Sequence, residues 1–291
     1  MNHQNVIKVH YADVINYSGA DFVIIAMDHF PNGSVLNILN PANFIILPKA
    51  ISITVDILRG LEYLHEQNLF HNDIKPSNIL LGTQSEGRLT DYGISCTSPG
   101  LVPTAAPNAY ILHRAPETTV SNKISVATDI YQVGLTMFRL INGIGLVDDL
   151  LSRVGITEFE RLKSLGRVPA DSDYQPFVIN SLKKIITKAT NPNPSERYQS
   201  ALEMRRALER LSFFGYWDVD SKGDFFGILN NYKFDFLITK SSNGYSIECF
   251  KENLSSGIKR RVAGNCRKGI NEIEMLKAKK SFIESIVKGD Q

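Results

Sequence analysis

Over residues 129–141 the chain is apolar on nearly every side, with Ile130, Tyr131, Val133, Leu135, Met137, Phe138, Leu140 and Ile141 in close succession. A helix that is hydrophobic all round has to be buried, so this stretch predicts a core helix with other helices packed about it. The chain supplies them. Residues 48–67 place Ile53, Ile57, Leu61 and Leu64 at steps of four, four and three, the spacing of one helical face. Further helical patterns run over 158–165, 176–190 and 199–211, the last two bracketing Asn191-Pro192-Asn193-Pro194. With 291 residues, 43% of them apolar, there is material for a large core.

The chemistry concentrates just after the first of these helices, in His71-Asn72-Asp73-Ile74-Lys75-Pro76-Ser77-Asn78. An acid at Asp73 can accept or orient a hydroxyl proton, Lys75 can neutralise a transferring phosphate, and Asn78 can offer a carbonyl oxygen to a metal ion. Asp, Asn and Pro also build ordinary turns, so this loop alone decides nothing. It is followed by two short β-rich runs, Ile79-Leu80-Leu81 and Arg88-Leu89-Thr90, joined by a turn with Gly82 and Gly87 at its ends, and then by Asp91-Tyr92-Gly93. A hairpin of this kind carries Asn78 and Asp91 to one edge.

The loop resembles the catalytic loop of protein kinases, H-R-D-x-K-x-x-N, complete except that Asn72 stands where the family usually has Arg. Lys-Pro after the acid is similar to the Ser/Thr class. Asp91-Tyr92-Gly93 resembles D-F-G, Ala115-Pro116-Glu117 matches A-P-E, Asp129 opens a buried helix as in the family, and Arg197 lies in Pro194-Ser195-Glu196-Arg197-Tyr198. The resemblance implies that Asn78 and Asp91 hold Mg²⁺, that Asp73 and Lys75 act on the acceptor hydroxyl and the γ-phosphate of ATP, and that Leu80 floors the adenine. It also implies that Asp129 accepts hydrogen bonds from the loop backbone, that Arg197 pairs with Glu117, and that His71 is a brace rather than a base. Asp28-His29-Phe30-Pro31-Asn32-Gly33-Ser34 resembles the kinase hinge, with Met27 as gatekeeper and the backbone of Asp28 and Phe30 facing the adenine edge. Residues 94–114, rich in Pro and Gly, take the place of the activation segment. Thr97, Ser98 and Thr104 are ordinary loop residues there, and without an Arg at position 72 a phosphate on them lacks its usual partner.

Ahead of the loop, β-rich runs over 6–9 and 22–27 predict a pair of adjacent strands. In the family a Gly-rich loop and a strand Lys paired to a helix Glu come earlier still, so the expectation is an N-terminal lobe largely missing. After Ser212 the texture turns to strands, over 225–229, 232–239 and 245–250, and then to a helix over 270–287. The organisation expected is α+β and protein-kinase-like: residues 1–33 a remnant of the N-lobe sheet and hinge, 34–212 a mainly helical C-lobe, and 213–291 a small α+β module of unknown role. That module carries 13 Lys and Arg against 10 Asp and Glu, with Lys259-Arg260-Arg261 and Arg267-Lys268 near one another, a surplus that fits a charged strand edge.

A net charge of +2 gives no global field for nucleic acid, which is not expected as a partner. No apolar stretch approaches the roughly 20 residues of a membrane span and no signal peptide is visible, so the cytoplasm is the expected compartment, with no membrane partner. Cys96, Cys249 and Cys266 are too few and scattered for a zinc site or disulfide framework, and read as reduced thiols. Two functions stay open: a Ser/Thr protein kinase with ATP and Mg²⁺ as cofactors and a protein substrate, in a shortened form of a longer enzyme, or a non-catalytic kinase-like binding protein. The open sheet would be completed by an N-terminal lobe segment or a partner chain.

Overall fold

The computed structural model describes residues 2–91, 95–105 and 110–290. Tyr92 and Gly93, expected after the metal-binding Asp, lie outside the described residues, as do Ile94 and residues 106–109 of the expected activation segment.

The chain opens with a two-stranded antiparallel ribbon, β1 (Val9–Tyr17) and β2 (Ala20–Met27), turned at Ser18-Gly19 with both residues at positive φ. The first strand expected over 6–9 is therefore displaced. Val6 and Ile7 leave the ribbon and are buried against the lobe beyond it. The helix α1 (Leu47–Glu66) begins with Pro48 in its first turn and buries Ile53, Ile57, Leu61 and Leu64. Next come β3 (Leu69–Phe70) and the hairpin β4 (Ile79–Leu81) with β5 (Gly87–Leu89). The Ile7 N–H donates to the Leu89 carbonyl and the Leu89 N–H to the Asn5 carbonyl, each at 2.9 Å, so residues 5–7 extend this hairpin rather than β1. Gly60 permits that: a Cβ there would sit 2.6 Å from the Asn5 oxygen.

Two short strands appear in the stretch rich in Pro and Gly. β6 (Cys96–Thr97) pairs with β3, and β7 (Thr104–Ala105) pairs with β8 (Lys123–Ile124), which follows α2 (Pro116–Ser121). Two residues form a strand here only because a partner strand is at hand. The core helix α3 (Val126–Asn142) starts one turn before the expected residue, at a capping box of Ser125 and Thr128, and all but its first residue are buried. α4 (Gly145–Ser164) is longer than its short periodic patch announced, with a break at Gly155. α5 (Asn180–Ala189) and α6 (Ala201–Glu209) complete the helical part, with α1 packed on α3, α6 and β5, and α3 on α5.

The C-terminal part is a six-stranded antiparallel sheet. Its strands are β9 (Gly215–Val219), β10 (Phe225–Leu229), β11 (Tyr232–Ser241), β12 (Gly244–Asn253), β13 (Lys259–Arg261) and β14 (Arg267–Ile270), in the order β13-β12-β11-β10-β9 with β14 also on β12. α7 (Glu272–Lys288) lies across one face, where Phe282 meets Trp217, Phe234 and Phe236, and the Trp217 indole N–H donates to the Ile283 carbonyl at 3.1 Å. Phe225 stacks on Phe44 at 6.2 Å and the Asn40 amide donates to Asp218, so the apolar core runs without interruption from the helical part into this sheet. Among the described residues no single helix is long and apolar enough to cross a membrane.

Candidate active site

α1 and β3 deliver the loop of residues 71–78 onto the N-terminal half of α3, and α3 meets it with three polar side chains on one stripe. Asp129 accepts the N–H of His71 at 3.0 Å and of Asn72 at 2.7 Å, and contacts the His65 ring nitrogen at 2.9 Å. Gln132 accepts from the Ile74 N–H and donates to the Asn72 carbonyl, while the Thr136 hydroxyl donates to the Ile74 carbonyl. Positions 129, 132 and 136 fall at i, i+3 and i+7, which puts all three on one helix face. A buried loop must have its backbone groups paired, and this stripe pairs them. The bond from Asp129 is the one the resemblance implied; Gln132 and Thr136 were missed, although two polar residues at helical spacing in an otherwise apolar run are a visible signal.

Within the loop the candidate residues converge. Asp73 Oδ2 accepts from Lys75 Nζ at 2.7 Å and from Asn78 Nδ2 at 2.8 Å, and its Oδ1 has no partner among the described residues. Asn78 Nδ2 also reaches the Asp73 carbonyl at 3.0 Å, while among the described residues its Oδ1 takes only the Ser77 hydroxyl. The Lys75 ammonium lies 5.1 Å from the Tyr110 ring centre. Burial lowers the His71 pKa, so its imidazole is neutral: Nδ1 accepts the Asp73 N–H at 3.3 Å and Nε2 donates to the Thr90 carbonyl at 3.1 Å. His71 thus ties the loop to the end of β5, and the Thr90 N–H returns a bond to the Asn78 carbonyl. Asp91 follows, exposed and at φ 66°, one residue past that bond.

The donor set suits Mg²⁺. A carboxylate at Asp91 and an amide oxygen at Asn78, oriented because its NH₂ is committed to Asp73, are hard oxygen ligands of the kind that hold this ion together with substrate phosphates. Among the described residues no group of three His, Cys, Asp or Glu forms an all-protein metal cage.

The expected adenine side meets the same hairpin. Met27 ends β2, and its sulfur accepts from the Thr90 hydroxyl at 3.7 Å. The hinge turn is pinned to the β4 end of the hairpin by the Leu81 N–H on the Gly33 carbonyl and the Asn32 amide on the Gly82 carbonyl. Leu80 is half-buried on the face of β4 opposite Ile79 and Leu81. The Phe30 carbonyl is already taken by the Gly33 N–H at 2.9 Å, which leaves its N–H rather than its carbonyl for an adenine edge, and its ring lies beneath the Arg88 guanidinium. The Asp28 carboxylate is engaged with His10 at the surface.

Below the loop, Arg197 and Glu117 form the implied pair, bidentate at 2.9 and 2.6 Å, with Arg197 also bonded to the carbonyls of Ala127 and Asn191. Two further braces were not foreseen. Lys163 of α4, fully buried, donates to the carbonyls of Ile111 and Arg114 and pairs with Glu160, which also holds Arg114. Burial lowers its pKa to about 8. His113, buried and pushed well below the ordinary value by burial and by Arg139, accepts from the Arg139 guanidinium at 2.8 Å. Together they fasten residues 111–114 to α3 and α4. Asn72 stands apart: its side chain is buried at φ 62° with neither polar atom paired among the described residues.

The loop thus brings an acid, a cation and an amide together on one oxygen, hung from a buried helix and tied to the hairpin of β4 and β5. The family profile of the protein kinase domain matches residues 1–209, and the chain belongs to the protein kinase family. It is similar to the serine/threonine-protein kinase PknB of Mycobacterium leprae, 23% identical over 215 residues covering 72% of this chain and 34% of that protein. It is also similar to PrkC of Bacillus subtilis, at 27% over 72% of this chain and 31% of that one, and to PknF of Mycobacterium tuberculosis, at 28% over 71% and 43%. The chain spans about a third of the length of the first two relatives.

Proposed function

We propose that this chain carries the acceptor- and metal-binding half of a Ser/Thr protein kinase, which transfers the γ-phosphate of ATP to a protein hydroxyl. The observation that carries the reading is the Asp73 carboxylate: two donors occupy Oδ2 at 2.7 and 2.8 Å and Oδ1 is left for an acceptor hydroxyl. Asp73 Oδ1 orients that hydroxyl and receives its proton as the new oxygen–phosphorus bond forms and the bond from the γ-phosphorus to the β–γ bridging oxygen breaks, with ADP as the leaving group. Lys75, resting on Oδ2, swings to the γ-phosphate. Asn78 Oδ1 and the Asp91 carboxylate would hold Mg²⁺, whose chemistry there is to neutralise charge on the phosphates. Leu80 floors the adenine, with Met27 behind it and the backbone of Asp28 and the Phe30 N–H along its edge.

The ribbon of β1 and β2 supplies only part of the adenine side. Strands added to its open edges, by a further segment of the polypeptide or by a partner chain, complete the sheet in this proposal. Its support is the ribbon's exposure on both faces. A cytoplasmic setting, with Cys96, Cys249 and Cys266 reduced, belongs to the same reading.

Transfer of radiolabelled phosphate from ATP to a Ser/Thr-rich protein tests it, with Asp73→Ala and Asp91→Asn as variants. The expected result is transfer that falls at least 100-fold, on the order of a general base's contribution, in Asp73→Ala. Transfer unaffected by Asp73→Ala overturns the assignment. Mg·ATP binding that depends on Asp91, without Asp73-dependent transfer on any acceptor, replaces it with the non-catalytic kinase-like reading.

A further inference from the structure

The six-stranded sheet is uneven along its length. β11 and β12 pair over all ten residues of each, from Tyr232↔Asn253 to Ser241↔Gly244. On its other side β11 is paired, among the described residues, only over residues 232–235, opposite residues 226–229 of β10. Residues 236–241 therefore present an open strand edge. Such an edge is a row of unpaired N–H and C=O groups, matched by another peptide backbone and by little else. Lys240, which would guard it, is folded back across the sheet, 5.4 Å over the Tyr245 ring.

Beside this edge lies a cavity of about 610 Å³, of the size that takes one or two large side chains, lined in part by Leu237, Ile238, Phe225, Phe177 and Ile283. Lys279 also lines it. On α7 this lysine follows Met275 by one turn and precedes Ile283 by one, so it interrupts the buried stripe of the helix. It has no ion pair or hydrogen bond among the described residues. The other charges of the lining differ. Lys259 and Lys233 share Asp235 at 2.5 and 3.7 Å, and Asp220 is bonded to the N–H groups of Lys222 and Asp224. Asp224, also in the lining, is exposed.

We propose that the open edge of β11 is a docking groove for an extended segment of another protein, added as a further strand, with apolar side chains in the cavity and a carboxylate on Lys279. Backbone pairing supplies affinity, and the cavity and Lys279 supply selection. The argument rests on this sheet alone and is independent of phosphoryl transfer.

The probe is a capped, fluorescein-labelled hexapeptide of alternating valine and threonine with one central glutamate, read by fluorescence anisotropy on the full chain. Saturable binding is expected, on the order of 10–100 µM for so short a strand. Exchanging the glutamate for lysine should weaken it about fivefold, the size of a single ion pair, and Lys279→Glu should reverse that preference. N-methylation of alternate peptide amides should abolish binding, and amide hydrogen exchange should slow over residues 236–241. Equal binding of the N-methylated peptide, an unreversed preference in Lys279→Glu, or slowing confined to the ribbon of residues 9–27 each overturns the proposal. So does sedimentation showing that the edge is already covered by a second copy of the chain.

Discussion

The loop of residues 71–78 and the ribbon of residues 9–27 are built in opposite ways. In the loop, backbone groups are buried and held by Asp129, Gln132, Thr136 and His71. In the ribbon every residue is exposed, including Tyr17, Val23 and Ile25 at 69, 70 and 45%, and its ladder of backbone hydrogen bonds joins its own two strands, with the Met27 sulfur on the Thr90 hydroxyl as a contact to the hairpin beyond. A two-stranded ribbon is marginal by itself, whereas buried backbone groups that are each paired to a packed helix are held in one arrangement. The loop is thus held in place by the helical part, and the ribbon by little more than its own pairing.

The contrast can be broken most sharply at Arg197. Arg197→Ala and Glu117→Ala should each destabilise the fold by about 3–5 kcal/mol, because each leaves a buried charge without its partner. The double variant should cost far less than the sum. Urea unfolding of the four species measures this, and additive effects would mean that the brace beneath the loop is not a coupled unit.

Next in size is Lys163. Its pKa is about 8 in the folded chain against 10.5 for a free lysine. Below pH 8 both states hold the proton and stability is flat with respect to this group. Between 8 and 10.5 the unfolded chain keeps a proton that the folded one has lost, so stability rises with pH, by about 3 kcal/mol over the window. Buried tyrosines with raised pKa values, Tyr131 among them, oppose this above pH 10. The pH profile of the urea midpoint should therefore be compared with that of Lys163→Met, in which the rise is absent. Glu160 keeps Arg114 in that variant.

A smaller effect is expected at Asn72. Glycine adopts φ 62° without strain and removes two unpaired buried polar atoms, so Asn72→Gly should change stability by no more than about 1 kcal/mol in either direction. A loss of several kcal/mol would show that the amide is a hidden support of the loop.

The smallest effect belongs to the ribbon. Val23→Thr with Ile25→Thr should shift unfolding by less than about 0.5 kcal/mol, as surface changes do. Ile53→Ala in α1, fully buried, should cost about 2–5 kcal/mol. A ribbon variant as costly as Ile53→Ala would show that its apolar faces are covered in solution.

Much of this molecule could be read from its residues in order. The all-apolar run at 129–141 demanded burial, and α3 is buried. The spacing of Ile53, Ile57, Leu61 and Leu64 announced α1, and Phe225 to Leu229 became a strand with those bounds. Local chemistry also set the candidate site, since Asp73, Lys75 and Asn78 fall within one short loop and have little room to part. Other features carried no local signal. β13 is Lys259-Arg260-Arg261, three cations that become a strand only against Phe250, Lys251 and Glu252. Val6 and Ile7 could have extended either sheet, and the open space over Gly60 took them to β5. Lys163 and His113 look like surface residues in a list, and only the packing of α4 and α3 around residues 111–114 turns them into buried braces. Periodicity and turn chemistry act between near neighbours, so they are written in the sequence. Which distant carbonyl receives a lysine, and which strand edge stays open, depends on long-range packing and was decided by the tertiary structure.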